Sequence, residues 1–96
     1  AVRHARRLIA TGRYGAARMF TTLECTDFLW RPRRPEEFDP AMGGGVVFIQ
    51  APHQFDVLRV LGGGKLRSLR AQTFAWDAAR PTEGAYNAFC TFESGA

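Results

Sequence analysis

The chain has 96 residues, 46% of them hydrophobic, and a formal net charge of +4 at neutral pH. This length allows one domain with a modest core, and the apolar content excludes a chain left disordered by composition. No run approaches the ~20 apolar residues of a membrane-spanning helix, so no transmembrane segment is expected.

Charge is unevenly distributed. Eight of the thirteen basic residues lie in the first 34 positions, opposed there only by Glu24 and Asp27, whereas beyond Arg70 a single Arg80 faces Asp77, Glu83 and Glu93. Twelve of the thirteen are arginines, whose planar fork suits bidentate contact with carboxylate or phosphate. The asymmetry predicts a basic arm that meets an acidic surface.

The arm comprises residues 1–17. Val2 to Ala10 has helical spacing, with Val2, Ala5, Leu8 and Ile9 on one side and Arg3, Arg6 and Arg7 on the other. Such a segment is either a partner-binding arm or the remnant of a cleaved targeting peptide, and the opening on Ala1 fits a processed or partial chain. Thr11 to Gly15 is a turn that carries Arg13. Met19 to Thr26 alternates as a strand, with Met19, Thr21, Leu23 and Cys25 on one face.

From Phe28 to Gly45 the prolines Pro32, Pro35 and Pro40 argue for a long loop without regular elements. Trp30 and Phe38 stand there among Arg31, Arg33 and Arg34. They form either an interface hot spot or a flap folded back over the core. Val46 to Ala51 is a β-branched, aromatic run that reads as a strand. Phe55, Leu58 and Leu61 then recur at helical spacing, and Gly62-Gly63-Gly64 requires a positive φ at one position, expected at Gly63 or Gly64. Lys65 to Arg70 alternates as a half-buried strand. Residues 71–96 form a C-terminal extension in which Tyr86 to Phe92 has the composition of a further short strand.

These elements predict a small α+β domain over residues 18–70. A three-stranded sheet, from Met19–Thr26, Val46–Ala51 and Lys65–Arg70, is covered by one short helix, with Phe48 in the core. A long proline-rich loop and extended N- and C-terminal arms complete it.

Chemistry-bearing motifs are sparse. Gly62-Gly63-Gly64-Lys65 follows a helix and precedes a strand, the reverse of a phosphate-binding loop. Cys25 and Cys90 lie in no C-x-x-C, and with only His4 and His53 as companions they do not make a metal framework. Glu36, Glu37 and Asp39 read as a solvated acidic patch, and His53 as a turn or capping residue. The residues therefore point to a binding module rather than an enzyme, with no catalytic, metal-ligating or cofactor-binding residue.

Several short motifs occur in a distinctive order. Arg18-Met19-Phe20 opens the first strand, Val47-Phe48 runs to Pro52, and Leu61, Gly63, Gly64, Lys65, Leu66 and Leu69 close the helix and begin the last strand. In that order they resemble the small linker domain of phycobilisomes, the rod and core capping linkers, over residues 18–70. His53 stands where that family has an aromatic residue, and Gly62 is an additional glycine.

The resemblance implies a non-enzymatic linker of a photosynthetic light-harvesting antenna, associated with a plastid or cyanobacterial thylakoid. Such a linker binds phycobiliproteins and lies near their bilins without carrying a covalent cofactor itself. Its partner-binding residues would be Arg3, Arg6, Arg7, Arg13, Trp30, Arg31, Arg33, Arg34 and Phe38. The alternative is a small basic accessory subunit, either of an organellar (mitochondrial) ribosome, where these arginines would contact RNA, or of a respiratory or photosystem membrane complex.

Overall fold

The computed structural model covers residues 1–96. In chain order the protein contains α1 (Val2–Ala10), two short 3-10 turns (Pro35–Phe38 and Pro40–Met42), α2 (Val46–Ile49) and α3 (Ala51–Leu58). A π-helical turn (Arg59–Gly63) continues α3, and strands β1 (Leu66–Phe74) and β2 (Ala85–Phe92) follow. The two strands pair in an antiparallel sheet. The residues divide into two compact units, one of Ala1–Thr22, His53–Arg70 and Phe89–Ala96, the other of Leu23–Pro52 and Ala71–Ala88.

The predicted three-stranded sheet does not form. Of its strands, only the one expected at Lys65–Arg70 is realised, as Leu66–Arg70 at the start of the longer β1, and its partner β2 comes from the C-terminal extension. All nine residues of β1 are exposed, so its sequence alternation marks a strand but not a buried face. Along β2, Tyr86, Ala88, Cys90 and Phe92 are buried or half-buried, whereas Asn87 and Phe89 are exposed.

In the first unit, α1 has the predicted bounds. Val2, Ala5 and Ile9 are half-buried at helical spacing, the arginines are exposed, and the helix packs on the Arg59–Gly63 turn. The Thr11 hydroxyl donates to the Leu8 carbonyl at 2.6 Å, and Gly12, at φ +67°, leads the chain out of the helix. Gly62 and Gly64 have positive φ, +138° and +70°. Gly63, expected to share that role, is needed for another reason: a Cβ there would lie 2.7 Å from ring carbons of the buried Phe92.

In the second unit, Phe28, Leu29 and Val46 form a buried cluster, flanked by Phe38, Val47, Ile49 and Tyr86. Val46–Ile49, expected as a strand, is helical because its first amides find acceptors outside the ladder of a sheet. Pro52 has no N–H to offer Phe48, so α2 breaks at Gln50 and α3 restarts with Pro52 in its first turn. Phe48, predicted as core, is 68% exposed. The proline-rich stretch is also more regular than expected, since Pro35 and Pro40 each begin a 3-10 turn.

Candidate functional site

The residues predicted to bind partners separate into three groups. Arg33 and Phe38 are engaged internally. The Phe28 ring, 1% exposed, meets Phe38 edge-on, with centroids 6.1 Å apart and planes at 79°. The Arg33 guanidinium lies 4.0 Å above the Phe28 ring. Its Nε donates to the Phe28 carbonyl at 3.0 Å, and its Nη1 is 3.6 Å from Glu37 Oε1. Arg80 covers the Phe38 ring at 4.7 Å and reaches Asp77 at 4.0 Å. Two aromatic rings thus each lie beneath a guanidinium, an arrangement that helps seal a core and occupies the cations.

A second group is held locally. Arg31 pairs with Asp27 at 2.7 Å on the surface, and the Arg34 backbone N–H donates to Glu37 Oε2 at 3.0 Å. The Arg13 guanidinium rests 5.6 Å from the Tyr14 centroid. The third group comprises Arg3, Arg6 and Arg7, exposed on α1, and Trp30, 73% exposed.

Glu83 was not singled out in the sequence, yet it organises the start of α2. Its Oε1 accepts the Val47 N–H at 2.9 Å. Gly45, at φ +107°, comes so close that a Cβ would lie 2.5 Å from the same oxygen. The Gly43-Gly44-Gly45 run therefore admits a carboxylate of the chain itself. No local pattern announces this pairing, since Glu83 and Val47 are 36 positions apart.

In the first unit, Phe55, Asp56, Arg59, Gly64, Leu66 and Phe92 line an open hollow of about 210 Å³. Its Asp56–Arg59 ion pair, at 2.7 Å, is exposed and already satisfied. The hollow accommodates a small apolar group and presents no nucleophile paired with a base. No three His, Cys, Asp or Glu side chains converge as metal ligands. Both cysteines are free thiols, and burial pushes the Cys90 thiol pKa up from its ordinary value.

Comparison with known proteins places this geometry. Residues 2–96 match the model of the GFO/IDH/MocA C-terminal domain. The chain belongs to that family. It is 49% identical over 94 residues to the 1-carboxy-3-chloro-3,4-dihydroxycyclo hexa-1,5-diene dehydrogenase of Comamonas testosteroni, covering 98% of this chain and 24% of that protein. A solved structure from Bordetella bronchiseptica RB50, assigned as a dehydrogenase, superposes with a TM-score of 0.94 at 43% identity, covering 99% of this chain and 25% of the other. The chain thus spans about a quarter of the length of these relatives.

The family match overturns the phycobilisome-linker assignment and, with it, the photosynthetic function and the non-enzymatic reading, because the relatives are dehydrogenases. The ribosomal and membrane-complex alternatives fall as well. The relatives are bacterial, which removes the plastid, thylakoid and mitochondrial placements. The linker signature misled because its elements are short and common. A glycine-terminated helix followed by an alternating strand arises in many folds for the same backbone reason.

GFO/IDH/MocA proteins bind NAD(P) through an N-terminal domain, whereas the match here is to the C-terminal one. The residues of this chain do not fit a dinucleotide. Such a site needs a strand, a glycine turn and a helix whose first amides face the pyrophosphate. The glycine run before α2 follows a 3-10 turn, and the Glu83 carboxylate already fills its corner with negative charge. The glycines at 62–64 follow a helix and lead into β1.

Proposed function

We propose that this chain is the C-terminal domain of a dehydrogenase that uses NAD(P), with the dinucleotide held by residues outside these 96. The observation that carries the reading is the 49% identity to a named dehydrogenase over nearly the entire chain. By the same likeness, the substrate class is a carbocyclic diol bearing a carboxylate, oxidised at a hydroxyl-bearing ring carbon. The contribution of this domain is structural support, consistent with its satisfied ion pairs and guanidinium-roofed rings.

Arg3, Arg6 and Arg7 make no ion pair within the chain and are offered to carboxylates on the remainder of the enzyme or on a partner protein. Arg13, Arg31, Arg34 and Trp30 lie on the surface as secondary contacts, Arg31 already paired with Asp27 and Trp30 offering an apolar ring. Changing Arg3, Arg6 and Arg7 together to Gln should weaken such contacts in a salt-dependent manner.

The test uses the whole gene product containing this chain. Reduction of NAD+ or NADP+ is followed spectroscopically with dihydroxycyclohexadiene carboxylates and, as a contrast, with open-chain alcohols. Turnover of the cyclic diols supports the reading. A purified, folded protein that binds neither nucleotide would overturn it.

A further inference from the structure

Phe55, Asp56, Arg59, Gly64, Leu66 and Phe92 enclose the open hollow of about 210 Å³, and all of them belong to one compact unit. Its walls are fixed by the fold. Phe92 is buried, and its ring abuts Gly63, which has no room for a Cβ. The Glu93 N–H donates to the Lys65 carbonyl at 2.9 Å and ties the end of β2 to the start of β1. A hollow already held in shape needs little further ordering when a ligand enters.

The lining sets what fits. Phe55, Leu66 and Phe92 present apolar surface suited to a ring. An apolar cavity of about 150 Å³ holds benzene, so this volume admits a six-membered ring with a small substituent and is too small for a nucleotide. Arg59 adds a cation on the solvent side. Its Nε and Nη2 donate to Asp56 Oδ1 at 3.3 and 2.7 Å, so the second Nη group of the fork is not used by that pair.

The surrounding charge has the same sign as Arg59. Nine of the thirteen basic residues fall in this unit, against the acids Asp56 and Glu93, for a formal net charge of +7. The other unit, with four basic and seven acidic residues, carries −3. Such a field favours an anion, while the apolar walls disfavour a bare phosphate. We propose that the hollow is a binding site for a small ring carboxylate, its ring against Phe55, Leu66 and Phe92 and its carboxylate on Arg59. This site does not depend on the activity proposed above, so the two can fail separately.

Benzoate titrated into the whole gene product, followed on the Leu66 methyl resonances, tests the site. The readout is local to the hollow even where the same ligand also enters the active site. Saturable shifts at Leu66 are expected. Arg59→Gln should weaken that binding by roughly threefold or more, whereas Asp56→Asn, which removes the opposing negative charge and frees the fork, should strengthen it. Both side chains are exposed, so neither change threatens the fold. Acetate lacks the ring and cyclohexanol lacks the charge, and each should bind more weakly than benzoate at Leu66. No shift at Leu66, as when another part of the enzyme fills the hollow, would overturn the proposal. So would unchanged affinity in Arg59→Gln, or acetate or cyclohexanol binding there as tightly as benzoate.

Discussion

Phe28-Leu29 and Met19-to-Leu23 are near neighbours in sequence with opposite fates. The first pair is 1% and 3% exposed, enclosed by Val46, Phe38 and the Arg33 guanidinium. In the second stretch, Met19 and Leu23 stand almost fully in water with no hydrogen-bonded neighbour along the backbone. Hydrophobicity does not separate them, because both are apolar. The difference is that Phe28 finds complementary partners inside the same unit, including a guanidinium that lies over the ring. A strand-like segment has to find another strand. Helices and clusters can be satisfied locally, whereas sheet segments depend on chain far away in sequence.

The largest effect should come from breaking the sealed region. Phe28→Ala removes a buried ring, its edge contact with Phe38 and the platform for Arg33, and should destabilise the protein by ~3–5 kcal/mol in chemical denaturation. Gly84→Ala tests the same packing from the opposite direction. Its Cβ would sit 2.5 Å from Leu29 Cδ1, so overpacking should cost about 1–3 kcal/mol.

Arg33→Lys keeps the charge but loses the guanidinium over the Phe28 ring and the Nε bond to the Phe28 carbonyl, and should cost about 1 kcal/mol by the same measurement. Phe48→Ala, by contrast, removes a ring that is largely in water and should change stability by less than ~0.5 kcal/mol. A large loss there would mean that Phe48 is covered by something outside these 96 residues.

The smallest effect is chemical. Only the thiolate is alkylated, and burial raises the Cys90 pKa, so at a given pH less of it is ionised. Iodoacetamide should label the exposed Cys25 first. Labelling of Cys90 should lag behind and need a higher pH than its thiol would without burial, as read by mass spectrometry over a pH series.

The sequence by itself determined the elements whose reasons are local. The basic helix Val2–Ala10 has the bounds its periodicity implies, and from Leu66 on the alternating run at Lys65–Arg70 lies in a strand, though an exposed one. The glycines after α3 provide the positive φ that a helix stop requires, at Gly64 as expected and also at Gly62.

Only the tertiary structure decided the rest. Val46–Ile49 is helical against its β-branched composition because Glu83, far along the chain, supplies the acceptor for its first turn. Of Trp30 and Phe38, which read equally as a hot spot or a flap, Phe38 packs edge-on against the buried Phe28 whereas Trp30 stays exposed. The functional class was not legible. Patterns of strand, helix and glycine follow from backbone sterics shared by unrelated folds. The residues that hold a nucleotide in this family belong to a domain other than the one matched here.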